Sequence, residues 1–188
     1  MLISSEICQQ LTDHELVSHA VEDVDYFSCI YGRYEKKLLR YIKRLTDITN
    51  EEAEDILQES FIKVWKNLNR IKHDTKLSSW LYRLVHNEVI SRWRKRKKQR
   101  PLLELSDNLL HSIADDLEIT QLPEEQLNQE LKNISEKYRE IVILKYFENM
   151  SYEEISDILK IPEGTVAIRL NRAKKEMKAR LKLIAENL

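Results

Sequence analysis

The chain has 188 residues, 42% of them apolar and 34% charged. That is enough apolar surface for one domain or two small ones, and too much for wholesale disorder. Only two glycines occur, Gly32 and Gly164, with three prolines. This excludes a glycine-rich dinucleotide or phosphate loop and argues against folds built on hairpins or barrels, so the chain reads as all-α.

The net charge of −1 averages over a strong pattern. Residues 1–71 carry 9 basic and 13 acidic side chains, and residues 72–100 carry 10 and 2. Residues 101–136 carry 1 and 9, and residues 163–188 carry 7 and 3. Two positive blocks split by a negative one predict two separate contacts with a polyanion. Cys8 and Cys29 show neither CxxC spacing nor a nearby His cluster, so neither a disulfide framework nor a zinc site is expected. There is no signal-peptide pattern and no uncharged apolar run near the roughly 18 residues of a membrane span. A soluble, cytoplasmic protein without membrane contact of its own is expected.

In chain order, the first ten residues read as frayed. Thr12 or Asp13 caps a helix starting near His14. A second amphipathic helix covers about 26–45, with Tyr26, Phe27, Ile30, Tyr34, Leu38, Tyr41, Ile42 and Leu45 at helical spacing. Asn50 is expected to cap a helix over 51–68, whose apolar positions are Ala53, Ile56, Leu57, Phe61, Val64, Trp65 and Leu68. The acids of its first turn suit the positive end of the helix dipole. After a polar loop over 69–77, Ser78 or Ser79 is expected to cap a helix from Trp80 to about Lys98. The front of that helix is apolar on one side, at Leu81, Leu84, Val85 and Val89, and its back is RWRKRKKQR. Pro101 opens an acidic stretch, 101–123, which makes up most of a linker over 99–123. Helices are expected over 124–133, 135–149, 151–159 and 163–185, with a capping box at Ser151 and Glu154.

The last two helices, joined by the turn 160–162, form a helix-turn-helix pattern. Val166, Leu170, Ala173 and Met177 are spaced 4, 3, 4 and predict the buried stripe. At about 100° per residue the other face holds Gly164, Ile168, Asn171, Arg172 and Lys175. A recognition helix presents such residues to base edges in the major groove: Arg to guanine, Asn to adenine. Gly164 would let the backbone come close. Arg169, Lys174, Lys178 and Arg180 stand where phosphates could be bound. A three-helix bundle with a solvated basic face shows the same spacing.

Two features mark the first domain. On helix 51–68 the residues Asp55, Gln58, Glu59, Ile62 and Lys66 share one outward face, a mixed acidic and apolar strip that suits a partner helix or an ordinary surface. On helix 80–98, Trp80, Tyr82 and Trp93 interleave with Arg83, Arg92, Arg94, Lys95 and Arg96. Aromatic rings stack on unpaired bases while Arg and Lys track phosphates; the same pattern arises from core anchors with a solvated basic end. No metal-ligand spacing or catalytic constellation occurs, so no cofactor and no enzymatic activity are expected.

The segments AEDILQESFIKVW (53–65), SSWLYRLVHNEVISRWRKRKK (78–98) and SYEEISDILKIPEGTVAIRLNRAKKEMK (151–178) together resemble an extracytoplasmic-function sigma factor. This group belongs to the sigma-70 family of bacterial transcription initiation factors. The resemblance implies two small helical domains, region 2 over 12–98 and region 4 over 124–185, joined by an acidic linker that threads through the polymerase. It implies that Asp55, Gln58, Glu59, Ile62 and Lys66 dock on the β′ coiled coil of core RNA polymerase. It assigns recognition and opening of the promoter −10 element to Lys72, His73, Lys76, Ser79, Trp80, Arg83, Asn87, Arg92, Arg94 and Lys95. Gly164, Thr165, Ala167, Ile168, Arg169, Asn171, Arg172 and Lys175 would read the −35 element, with region 4 also touching the β flap. An anti-sigma factor is a further expected partner. Ala167 and Ile168 depart from the basic residue and serine that the family commonly carries there, which implies a distinct −35 preference.

Overall fold

The structure is a computed structural model and describes residues 3–72, 75–97 and 124–185. Among the described residues every element is helical. The chain divides into two compact units, 1–92 and 93–188, which are taken separately. The expected linker, 99–123, and His73 lie outside the described residues.

In the first unit, α1 (Ser5–Gln10) replaces the expected fraying. Ser4 caps it, its hydroxyl accepting from the Ile7 amide. Thr12 caps α2 (Asp13–Glu22) in a reciprocal box with Glu15. A short 3₁₀ turn, Val24–Tyr26, leads into α3 (Phe27–Leu45). Of its predicted stripe, Ile30, Tyr34, Leu38, Tyr41, Ile42 and Leu45 are buried, whereas Phe27 is only partly buried and Tyr26, also partly buried, falls in the 3₁₀ turn.

Thr49, not Asn50, caps α4 (Asn50–Asn67). The Thr49 hydroxyl accepts from the Glu52 amide and the Glu52 carboxylate accepts from the Thr49 amide, both at 3.2 Å. A cap at Asn50 would place Ala53 three residues on, where nothing could return the second bond. Helix α4 packs on α3, with Phe61 against Phe27 and Tyr31.

Helix α5 (Leu77–Lys97) starts three residues earlier than expected. Leu77 is a core residue, and starting there aligns it with Leu81 and Val85 on one buried side. Ser79 is therefore buried within the first turn rather than capping it. The Tyr41 hydroxyl and His86 Nδ1 lie 2.9 Å apart in the core, and Tyr82 packs edge-on to Tyr41. These contacts fasten α5 to α3. They precede Arg92, where the first unit ends, whereas the last residues of α5 are basic.

Cys8 and Cys29 are joined by a disulfide, their Cα atoms 5.1 Å apart. This corrects the expectation of no disulfide. Twenty-one residues separate them, and local spacing carries no signal for a pair that meets only because α1 returns along α3.

In the second unit, α6 (Glu124–Asn133) is followed by α7 (Glu136–Val142). The buried Arg139 joins them: its Nε and Nη2 donate to the carbonyls of Leu131 and Lys132, both at 2.8 Å. Those carbonyls end α6 and lack partners within the helix. The expected single helix over 135–149 widens after Val142 into a turn over Ile143–Phe147. There the Glu148 amide bonds to the carbonyl of Ile143, five residues back.

Helix α8 (Tyr152–Leu159) opens on the predicted Ser151–Glu154 box. Lys160, in the left-handed region at φ 55°, closes it. Pro162 stands just ahead of α9 (Glu163–Ala185), its carbonyl accepting from the amides of Thr165 and Val166 at 2.8 and 3.1 Å. Val166, Leu170, Ala173 and Met177 form the buried stripe of α9, as their spacing predicts.

Candidate nucleic-acid interface

Helix α4 exposes Asp55, Gln58, Glu59, Ile62 and Lys66, all within about 100° of arc at helical periodicity. Ile62 is 53% exposed. Trp65, read from its spacing as core, is 42% exposed, with its ring edge-on to Phe27 at 5.2 Å. Ile62 and Trp65 lie three residues apart and form an apolar strip beside the acids. Periodicity missed Trp65 because it stands at the edge of the buried sector, where a large ring is half covered.

Along α5 and the segment before it, Lys72, Lys76, Asn87, Arg94 and Lys95 are exposed, and Trp80 and Arg83 are partly buried. Ser79 is buried, and its hydroxyl has no hydrogen-bond partner among the described residues. Arg92 makes ion pairs with Glu59 of α4 at 2.5 Å and Glu88 at 3.4 Å. The pairing with Glu59 above all keeps Arg92 charged.

Glu88, 8% exposed, also binds the Lys63 ammonium. Burial acts to raise the Glu88 carboxyl, but the hydrogen bonds and charges of Lys63 and Arg92 outweigh it and hold the group below its usual range. The fold thus gathers Glu59 and Lys63 from α4 with Glu88 and Arg92 from α5. One of the predicted docking acids and one of the predicted DNA-binding arginines are bound to each other. Glu88 escaped the sequence reading, although a lone acid four residues before an arginine in a basic helix is a signal for such a pair.

On α9, Gly164, Ile168, Asn171 and Lys175 are exposed, and Thr165, Ala167 and Arg172 are partly buried. Ile168 is 50% exposed. A Cβ at Gly164 would meet no atom within 4 Å. Packing inside the unit therefore does not require glycine at this position. Arg169 is partly buried and faces Glu140 of α7 at 3.7 Å. Burial pushes the Glu140 carboxyl up to about 7, with Arg169 opposing the shift and Glu136 adding to it. Arg180 pairs with Glu130 at 3.1 Å. Of the basic residues expected at phosphates, Arg169 and Arg180 are thus engaged within the unit.

Among the described residues no His, Cys, Asp and Glu group of three or more is arranged for a metal ion. Nor is any helix among them long and apolar enough to cross a membrane.

Residues 30–99 match Sigma-70 region 2 and residues 124–177 match Sigma-70, region 4. The chain is 30% identical over 171 residues to the ECF RNA polymerase sigma factor SigW of Bacillus subtilis, covering 85% of this chain and 91% of that protein. CnrH, solved in complex with the cytosolic domain of CnrY, superimposes with a TM-score of 0.69 at 20% identity, over 91% of this chain and 97% of CnrH. The sigma factor RpoE of Bartonella quintana, solved with the anti-sigma factor NepR, gives 0.65 at 23% identity, over 83% and 96%. The two structural likenesses establish the fold: helical units of which the second carries a helix-turn-helix. By its two regions and its relatives, the chain belongs to the extracytoplasmic-function group of the sigma-70 family. Its function is promoter-specific transcription initiation with RNA polymerase, a role in which the family's members are initiation factors rather than catalysts.

Proposed function

We propose that the exposed face of α4 docks on the β′ coiled coil of core RNA polymerase, with Ile62 and Trp65 as the apolar centre and Asp55, Gln58 and Glu59 around them. Helix α5 and the segment before it capture the opened −10 element: Trp80 supplies a ring for unpaired bases, and Lys72, Lys76, Arg94 and Lys95 track phosphates. Extruding a base costs a few kcal/mol, which bound phosphates and stacking offset. Arg92 acts here by holding α5 to Glu59 on the docking helix.

Helix α9 reads the −35 element. Asn171 and Arg172 offer hydrogen bonds to base edges, and Ile168 offers apolar contact such as that with a thymine methyl. The working compartment is the cytoplasm, and an anti-sigma factor is the expected inhibitor.

The observation that carries this reading is the face of α9. Its buried stripe is complete, while Gly164 is exposed where packing makes no demand for glycine and Ile168 is half exposed. The experiment is transcription from a promoter library by core polymerase with and without the protein. Promoter-specific transcripts only in its presence support the reading, and Ile168→Ser should alter the enriched −35 sequences. Failure to bind core, with tight duplex binding by the protein alone, would replace the reading with a stand-alone regulator.

A further inference from the structure

Helix α1 has six residues and none of them is buried. A helix this short has no stability of its own, and it adds no side chain to the core. Three kinds of tie hold it in place. Ser4 caps its start. The Arg33 guanidinium on α3 donates to the carbonyls of Cys8 and Leu11 and to Asp13. The disulfide joins Cys8 to Cys29 of α3. Of these, the covalent tie alone can be made and broken by chemistry. Disulfides in a reducing compartment are rare, and those found there are mostly transient or redox-sensing.

From these observations we infer that Cys8 and Cys29 form a reversible thiol–disulfide site, which fastens α1 onto α3 when oxidised and releases it when reduced. Only the compartment in this argument rests on the reading given under Proposed function.

The two residues differ in access. Cys8 is partly exposed and Cys29 is 3% exposed. The co-reactant is a low-molecular-weight thiol. Its thiolate attacks Cys8 Sγ; the protein S–S bond breaks, a mixed disulfide forms on Cys8, and Cys29 leaves as a thiolate that takes up a proton. A second small thiolate attacks the small-molecule sulfur of the mixed disulfide. This releases Cys8, which is protonated in turn, and forms the small-molecule disulfide. Two electrons pass to the protein and two small thiols are oxidised. The small-molecule disulfide drives the reverse sequence, again by way of Cys8.

Reduction leaves α1 with its cap and the grip of Arg33, and with no residue of its own in the core. Released, α1 ceases to cover Cys29 and the adjoining flank of α3. That flank lies opposite the side of α3 that packs on α4, because Cys29 and Arg33 stand about half a turn from Phe27 and Tyr31. Redox change therefore acts on the N-terminal segment without unpacking the docking helix.

The test uses the purified full chain, equilibrated across reduced-to-oxidised glutathione ratios, quenched in acid and alkylated with a maleimide mass tag. Two tags per chain should appear and disappear reversibly across the series. Amide exchange of residues 4–11 should rise at least tenfold on reduction, while that of α3 and α4 stays within twofold. Cys8→Ser should show the fast exchange at every ratio; as Cys8 is not a core residue, this variant keeps the unit folded. Two free thiols at all ratios, a bond that excess reduced glutathione leaves intact, or exchange of residues 4–11 that ignores the redox state would each overturn the inference. Because the assay contains neither polymerase nor DNA, its failure leaves the transcription reading standing, and the promoter-library experiment decides that reading separately.

Discussion

In each unit a largely covered carboxylate faces an arginine on a helix proposed to face DNA, Glu88 in the first and Glu140 in the second, and these two environments act in opposite directions. Glu88 meets Lys63 and Arg92 at hydrogen-bond range and is held ionised below its ordinary value. Glu140 sees Arg169 only at 3.7 Å and is pushed up to about 7. Removal from water disfavours both anions, and the cation offsets that cost only where it donates directly. The contrast separates a rigid brace between α4 and α5 from a contact between α7 and α9 that changes charge near neutral pH.

The largest test of this contrast is the pH response of the second unit. Between about pH 4.5 and 7 the folded form retains a proton on Glu140 that the unfolded chain releases. Stability should therefore fall as pH rises through that window, by up to about 3 kcal/mol for a shift of this size. Glu140→Gln should flatten the profile and raise stability at pH 8, read by urea unfolding followed on NMR peaks from α8. A variant less stable than the parent at pH 8 would mean that Arg169 needs the charge, breaking the contrast.

Glu88→Ala should destabilise the first unit by about 2 kcal/mol, the scale of lost hydrogen bonds to charged groups. Lys63 is about half exposed, so water takes up part of the loss and the effect stays below that of a fully buried pair. The parent should lose the same contribution in acid. Because the folded value of Glu88 is lowered, its stabilisation is complete above about pH 4.5 and disappears as pH falls through the folded value. The variant should lack this acid limb in a denaturant series from pH 2 to 6.

The smallest effect concerns α9 itself. Gly164→Ala should raise thermal stability, by about 0.5–1 kcal/mol, since the site is helical and a Cβ there meets nothing. The same change should weaken binding to promoter DNA. Affinity unchanged, measured by fluorescence anisotropy with holoenzyme, would show that the backbone does not approach the duplex at this point.

Much of the fold was legible without coordinates. The stripes of α3 and α9 and the box at Ser151 and Glu154 follow from neighbours three and four residues apart, so sequence spacing states them directly. Errors of start were local competitions: Thr49 displaced Asn50 because Glu52 completes its box, and α5 began at Leu77 because that residue joins the core. In the proposed sites, the faces of α4 and α9 were legible for the same periodic reason. The engagement of Arg92, Arg169 and Arg180 was not, since charge counts cannot tell a cation bound within the protein from one facing outward.

Composition, charge blocks and helical period were sufficient for an all-α chain with a helix-turn-helix at its end and two basic stretches. These properties depend on contacts within a turn or two of one helix, which the order of residues specifies. The Cys8–Cys29 bond, the brace of Glu88, the protonation of Glu140 and the exposure of Trp65 depend on which helix lies against which. Each involves a partner 20 or more residues away in the chain, and their energies depend on distance and burial, quantities that arise only once the helices have packed.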